Sequence, residues 1–260
     1  MRNNCRISVI IPAFNEERSI GRVLADIPAW VDEVLVVDNA STDATAERAR
    51  AGGARVVFQP EQGYGAACLA GMAALNAPDV VVFLDGDYSD FPEEMDRLVD
   101  PIVLEGYQLV IGSRTRGGAQ KGALAPQARF GNWLACWLIR RFFGVHFTDL
   151  GPFRAIDYAS LLRLDMADRD YGWTVEMQIK AALHGLRVLE VPVRYRKRIG
   201  KSKITGTVRG VVGAGSKILW TIFHAWWRHS RSEQSLPSGQ QPSGSPEAAT
   251  LPGPEGTKRG

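Results

Sequence analysis

The sequence predicts an α/β protein with a mostly parallel central sheet flanked by helices. Three features of its first 115 residues carry that expectation. Short runs rich in Val and Ile alternate with helix-length patterns, which is the signature of βαβ units. The runs are apolar at consecutive positions, as strands buried on both faces are. A polar residue stands at the carboxyl end of most of them, where open parallel sheets bind their ligands. The length of 260 residues, with 45% hydrophobic and 23% charged side chains, suits one large domain or two small ones.

The expected strands cover residues 7–14, 34–38, 55–58, 80–84 and 109–112. The helical patterns between them cover 16–27, 43–51, 63–75 and 92–104. Ser41-Thr42-Asp43 and Asp90-Phe91-Pro92 supply N-cap chemistry, and Pro92 suits a first helical position. The polar strand-end residues are Asn15, Asp38, Gln59 and Asp85. Further on, 117–126 has no apolar period and is expected to be a loop. Phe130, Trp133, Leu134, Trp137, Leu138 and Phe142 recur at helical spacing across 130–143. Strands are expected at 153–156 and 187–195, and an amphipathic helix at 208–227. From Arg231 onward Ser, Pro, Gly, Gln and Glu replace the large apolar residues, so the tail is expected to be disordered. The expected organisation is a catalytic unit at 1–206, an amphipathic helix at 207–230 and a tail at 231–260.

Charge is unevenly spread. Residues 1–190 hold 19 Lys and Arg against 25 Asp and Glu, whereas 191–232 hold ten Lys and Arg and no acid. Such a basic block meets an anion: a phosphorylated ligand, a membrane surface or nucleic acid. Nucleic acid is disfavoured, because no helix-turn-helix, zinc-finger or RNP pattern accompanies the block. Cys5, Cys68 and Cys136 are scattered and odd in number, which argues against a disulfide scaffold or structural zinc. The four histidines, His146, His184, His224 and His229, show no metal-like grouping. No signal peptide is expected, and no apolar stretch approaches the roughly 18 residues of a spanning helix. The first strand is followed by no GxGxxG, which disfavours a dinucleotide-binding domain.

The chemistry centres on Asp85-Gly86-Asp87, directly after the run 80–84. Two carboxylates one residue apart on a tight turn can share a divalent cation with a diphosphate, and Mg²⁺ and Mn²⁺ prefer such oxygen donors. The ordered set Ile11-Pro12-Ala13-Phe14-Asn15-Glu16, Val36-Val37-Asp38-Asn39-Ala40-Ser41-Thr42-Asp43, Gly63-Tyr64-Gly65-Ala66-Ala67 and Asp85-Gly86-Asp87 resembles the nucleotide-sugar-binding half of family 2 glycosyltransferases. Gly112-Ser113-Arg114 and the run from Tyr195 to Lys203 narrow the resemblance to dolichol-phosphate mannosyltransferases and other polyprenyl-phosphate glycosyltransferases. Ser89 stands where the former often carry Gln, and Thr148-Asp149-Leu150-Gly151-Pro152-Phe153-Arg154 departs from their usual turn, so glucose or another hexose stays open beside mannose.

The resemblance implies the GT-A fold with a Rossmann-like nucleotide-binding half. It places Pro12, Ala13, Asn15, Glu16, Asp38 and Asp43 around the donor nucleotide, with Gly63 and Gly65 allowing close backbone approach. Asp85 would lie near the diphosphate, and Asp87 would be the main ligand of Mg²⁺ or Mn²⁺. Arg114 would meet an acceptor phosphate, while Arg196, Arg198, Lys201 and Lys203 would close over phosphates. Asp149 is either a catalytic carboxylate or a turn residue, and Glu176 either orients substrate or begins a helix. Trp133 and Trp137 suit a core or a membrane interface. The expected function is inverting transfer of a hexose from a GDP- or UDP-sugar to a polyprenyl or dolichyl phosphate, on the cytoplasmic face of a membrane. Transfer to a hydroxyl acceptor, with Asp149 as general base, and a non-catalytic nucleotide-sugar-binding subunit are the alternatives.

Overall fold

A computed structural model describes residues 1–200 and 208–234. In chain order the elements are β1 (Ile7–Ala13), α1 (Ile20–Ala25), β2 (Glu33–Asp38), α2 (Thr45–Ala51), β3 (Arg55–Phe58), α3 (Tyr64–Ala73) and β4 (Val80–Phe83). A 3-10 turn (Pro92–Met95) leads into α4 (Asp96–Glu105), then β5 (Leu109–Ser113) and α5 (Arg114–Gly117). After these come α6 (Pro126–Phe143), β6 (Arg154–Asp157), α7 (Tyr158–Arg163), α8 (Trp173–Leu183), β7 (Val188–Pro192) and α9 (Val208–Gln234). The strands form one sheet in the order β3-β2-β1-β4-β6-β5-β7.

All pairings are parallel except those of β6, which lies antiparallel between β4 and β5. The expected strand 109–112 is therefore not the neighbour of 80–84. Arg154–Asp157 enters between them from the opposite direction, satisfying the inner edges of both. Successive strand side chains fill two cores, as the period of two requires. Ile7, Val9 and Ile11 face one side with Val80, Val82, Leu98 and Val99. Ile10, Val81 and Phe83 face the other with Cys68, Ile139, Trp173 and Ile222.

Three local expectations are corrected, at the start of α1, at Asp90 and at the start of the tail, and the loop expected at 117–126 gains partners. Helix α1 starts at Ile20 rather than at 16, because Glu16 to Ser19 form a turn in which the Ile20 N–H reaches the Glu16 carbonyl (2.9 Å). Asp90 does not cap: the turn at Pro92 has no side-chain cap, and the Asp90 carboxyl is buried with neither oxygen in a hydrogen bond of standard geometry. The region 117–126 is stitched to the basic segment through an Ala119–Tyr195 bridge and the Gln120 N–H to Tyr195 carbonyl bond (2.8 Å). The expected tail from Arg231 is corrected at its start, where 231–234 continue α9; residues 235–260 lie outside the described residues, as do Lys201 and Lys203.

Candidate active site

The carboxyl ends of β1, β2 and β4 form one edge, and the loops leaving them hold Asn15 (φ 54°), Ala40 (φ 59°) and Tyr88 (φ 67°) in the left-handed region. That conformation is uncommon outside Gly and costly for a bulky side chain such as Tyr. The loops are cross-tied. Asn15 Oδ1 accepts the Thr42 N–H (2.8 Å), the Asn15 N–H donates to Ser41 Oγ (3.0 Å), and the Ser41 N–H donates to Asp38 Oδ1 (3.1 Å). Asp43 is drawn into the same weave, its Oδ1 accepting the Thr45 N–H (3.0 Å) and its Oδ2 the Glu17 N–H (3.2 Å). Asn15, Glu16 and Asp43 line a small cleft of about 210 Å³ together with Ile199 and Gly200. Pro12 and Ala13 run along β1 beneath it, with Ala13 paired to Asp38 in register. Asn39, a residue the sequence reading left without a role, links β2 to the start of α3 by accepting the Gly63 N–H (2.8 Å) and donating to the Glu61 carbonyl (2.6 Å).

Asp85 and Asp87 stand just past β4. The first is half-buried beside the Tyr64 hydroxyl; burial, then repulsion from Asp87, pushes its carboxyl up to about 7. Asp87 is buried, and its two oxygens have different partners. Oδ1 accepts both the N–H (2.8 Å) and the hydroxyl (2.5 Å) of Ser89, whereas Oδ2 faces the Arg198 guanidinium at 2.9 Å. Ser89 thus steers Asp87. Asp90 adds a third carboxyl, fully buried and raised by burial and by the charges of Asp85 and Asp87.

The basic segment after β7 lies across this loop. Its backbone is bonded to it at two points, the Arg196 N–H to the Ser89 carbonyl (2.9 Å) and the Ile199 N–H to the Asp87 carbonyl (3.0 Å). Arg196 packs over Tyr88, 3.4 Å from the ring centre, and donates to the Tyr88 (2.7 Å) and Asp90 (3.0 Å) carbonyls. Its groups are therefore spent on protein atoms. Arg198 Nη2 also donates to Glu16 Oε1 (3.3 Å), and Glu16 is held from its other oxygen by the Ser19 hydroxyl (2.9 Å).

Asp149 and Arg114 meet as a buried pair. Arg114 donates from its backbone N–H (2.7 Å), Nε (2.9 Å) and Nη2 (2.7 Å), so both Asp149 oxygens are engaged. Asp149 has no exposed surface, which corrects its placing as a catalytic base: it has no free face toward a substrate. The forked carboxylate keeps Arg114 charged and fixes its plane. Arg114 also lies over the Tyr195 ring (5.1 Å) and lines a cleft of about 450 Å³. Arg129, Asn132, Trp133, Trp137 and Arg140 of α6 line that cleft, with His146 and Phe147 beyond. Arg154, quoted in the sequence without a role, is wholly buried and donates to the carbonyls of Gly151 and Thr174 (3.0 Å), which braces the turn carrying Asp149.

Two further residues behave differently from the sequence reading. A Cβ on Gly63 or Gly65 would fall 2.2 Å from the Arg169 carbonyl oxygen or 2.0 Å from that of Asp168. These glycines make room for the chain's own backbone at 168–169, to which the Ala66 N–H is bonded (2.8 Å). Glu176 takes its helix-start role, accepting the Asp168 N–H (2.8 Å) and pairing with Lys180 (2.9 Å). The acidic donors at Asp85 and Asp87 Oδ2 fit a hard divalent cation whose remaining ligands come from phosphate and water. No group of three or more His, Cys, Asp or Glu able to hold a metal occurs among the described residues.

The family model of glycosyl transferase family 2 matches residues 8–169. An uncharacterised glycosyltransferase of Mycobacterium tuberculosis is 38% identical over 208 residues, covering 79% of this chain and 93% of the relative. A dolichyl-phosphate hexose transferase of Haloferax volcanii is 36% identical over 203 residues, 76% of this chain and 86% of its own length. Among solved structures, glucosyl-3-phosphoglycerate synthase from Mycobacterium tuberculosis in complex with Mn²⁺, UDP-glucose and phosphoglyceric acid aligns with a TM-score of 0.70 at 26% identity, over 86% of this chain and 80% of that one. With strands, site edge and family pattern in agreement, the chain belongs to glycosyl transferase family 2 and is a hexosyltransferase of the GT-A fold.

Proposed function

We propose that the protein transfers a hexose from a nucleoside diphosphate sugar to a polyprenyl phosphate at a membrane surface, with inversion at the anomeric carbon. The observation that carries this reading is the cleft along α6. It is lined by the rigidly held Arg114, by Arg129 and Arg140, and by Trp133 and Trp137, which lie between those two arginines along α6. A cleft that combines cationic and aromatic lining suits a phosphate carried on an apolar chain. The name of the Haloferax relative points the same way.

In this reading Pro12, Ala13, Asn15, Glu16, Asp38 and Asp43 surround the nucleoside, and Asp85 with Asp87 Oδ2 holds Mg²⁺ or Mn²⁺. When bound, the cation supplies Lewis-acid neutralisation of the departing diphosphate. Arg114 receives the acceptor phosphate. Arg198, with Lys201 and Lys203, offsets charge on phosphate oxygens. A phosphate acceptor is already ionised near neutral pH and needs no general base, which agrees with the sealed position of Asp149. Asp149 is then a positioning residue for Arg114. Residues 1–206 form the catalytic unit, and α9 adds an interfacial helix on the cytoplasmic side.

A second reading is favoured by the solved neighbour, whose complex holds phosphoglyceric acid: a small phosphorylated acid as acceptor. Release of UDP or GDP, measured with undecaprenyl phosphate, dolichyl phosphate or 3-phosphoglycerate in the presence of Mn²⁺, decides between them. Turnover with a polyprenyl phosphate is expected. Turnover with 3-phosphoglycerate alone overturns the lipid assignment.

A further inference from the structure

Asp87 has one oxygen left for a cation, and Arg198 holds it. Oδ1 is taken by two donors of Ser89, while Oδ2 faces Arg198 Nη2 at 2.9 Å. The same nitrogen reaches Glu16 Oε1 at 3.3 Å, so one guanidinium ties the strand end of β4 to that of β1. Arg198 Nε is buried with no hydrogen-bond partner among the described residues, an expensive state for a charged donor and one that an anionic oxygen would relieve. The Arg198 side chain keeps 29% of its exposure, so the head group has a route out. The strap itself stays anchored by backbone bonds at Ser89 and Asp87 and by the stacking of Arg196 on Tyr88.

We propose that Arg198 is a displaceable counter-ion, occupying the cation's place on Asp87 in the metal-free chain and turning to the donor diphosphate when the divalent ion takes that oxygen. The proposal rests on Asp87 being a cation ligand. Two positive groups on the one open oxygen repel each other, so Arg198 would leave Asp87 Oδ2 when a divalent cation is held there. Eviction frees a planar donor fork beside the metal, in the position where a diphosphate brings its negative oxygens. Metal and nucleotide would therefore load cooperatively. Without metal, the site stays neutralised by the chain's own arginine.

The two halves of this exchange move in opposite directions when the head group is removed. In Arg198→Ala, Mn²⁺ titrated alone and followed by the electron paramagnetic resonance of the free ion should bind about tenfold tighter than to the wild type. In the same variant UDP or GDP, titrated calorimetrically with saturating Mn²⁺, should bind at least tenfold more weakly. Arg198→Lys, which keeps a charge but loses the fork, should restore much of the weak Mn²⁺ binding and little of the nucleotide affinity. A merely structural Arg198 would weaken both ligands together, and unchanged or weaker Mn²⁺ binding in Arg198→Ala overturns the proposal. Asp87→Asn separates the layers, since Mn²⁺ affinity that ignores Asp87 removes the metal-site reading itself. None of these titrations needs an acceptor, so they stand whichever acceptor proves right.

Discussion

Asp87 and Asp85 sit on the same turn and are held in opposite ways, which gives each its own consequence. Asp87 is wired to Ser89 and Arg198, so Asp87→Asn should cut transfer by at least about 100-fold with a melting temperature close to the wild type. Full turnover without added metal would sink that expectation. Asp85 is pushed up to about 7 by burial and by Asp87. Below that pH a proton must be displaced before a cation binds, so Mn²⁺ affinity should fall as pH drops through 7 and level off above it. The linkage to stability has the opposite sense to a salt-bridged carboxylate. With the folded value raised above the roughly 3.9 of an unfolded Asp, metal-free stability should decline as pH rises from about 4 to 7. Asp85→Asn should remove the slope in Mn²⁺ affinity and reduce the slope in stability, the remainder belonging to Asp90, whose carboxyl is raised in the same direction; Mn²⁺ titration and thermal unfolding in chelator read the two. For Asp149, removing the charge leaves Arg114 buried and half-paired. Asp149→Asn should cost about 3–5 kcal/mol of stability and raise acceptor KM while leaving the shape of the pH–rate profile unchanged. A lost basic limb in that profile would return Asp149 to a catalytic role.

Among the elements, α3 shows how a sequence signal can be right while its partner is misjudged. The glycines at its start are required by the close approach of the Asp168 and Arg169 carbonyls. A Cβ on Gly65 would meet backbone, which has no rotamer to move away. Gly65→Ala should therefore destabilise by about 1–3 kcal/mol as overpacking does. Gly21 in α1, with nothing within 4 Å of the equivalent position, is the control, and Gly21→Ala should stabilise by roughly 0.5–1 kcal/mol. Chemical denaturation of both variants checks the contrast. Equal effects would mean that the 168–169 segment yields freely.

Across the whole molecule, α9 has a packed face and an exposed aromatic face. Ile222 is buried and Ile218, Leu219 and Ala225 pack on the core shared with α6 and α8, and Lys217 pairs with Asp168 at 3.1 Å. Trp220, Phe223, Trp226 and Trp227 remain exposed, as do Phe130, Trp133 and Trp137 on α6, and Phe142 stacks on Trp226 to join the two helices. No helix among the described residues is long and apolar enough to cross a membrane. Exposed tryptophans beside Arg140, Arg141, Arg228 and Arg231 form an interfacial pattern, each cation worth about 1 kcal/mol near an anionic leaflet. The full chain should float with anionic vesicles at low salt. Trp220→Ser combined with Trp227→Ser should abolish flotation while the melting temperature holds, since neither ring is in the core. Failure of the wild type to float would leave α9 a packing element only.

The order of the strands, the helices α1 to α4, α6 and α9, and the strand-end carboxylates were legible in the sequence by itself, whereas α5, α7 and α8 were not marked out by it. They depend on local spacing, and period-2 and period-3.6 burial leave their marks on neighbouring residues. The family pattern was legible for the same reason, since its motifs are short and fall at strand ends. What the tertiary structure alone decided are pairings across distance. These are β6 entering antiparallel between β4 and β5, Arg114 closing on Asp149 35 positions away, Gly65 meeting the backbone of Asp168, and Arg198 reaching Asp87 from beyond β7. A charged or small residue carries the same letter whether its partner is solvent, ligand or protein. Only the packed chain shows which of its carboxylates are spent on its own arginines and which remain open to chemistry.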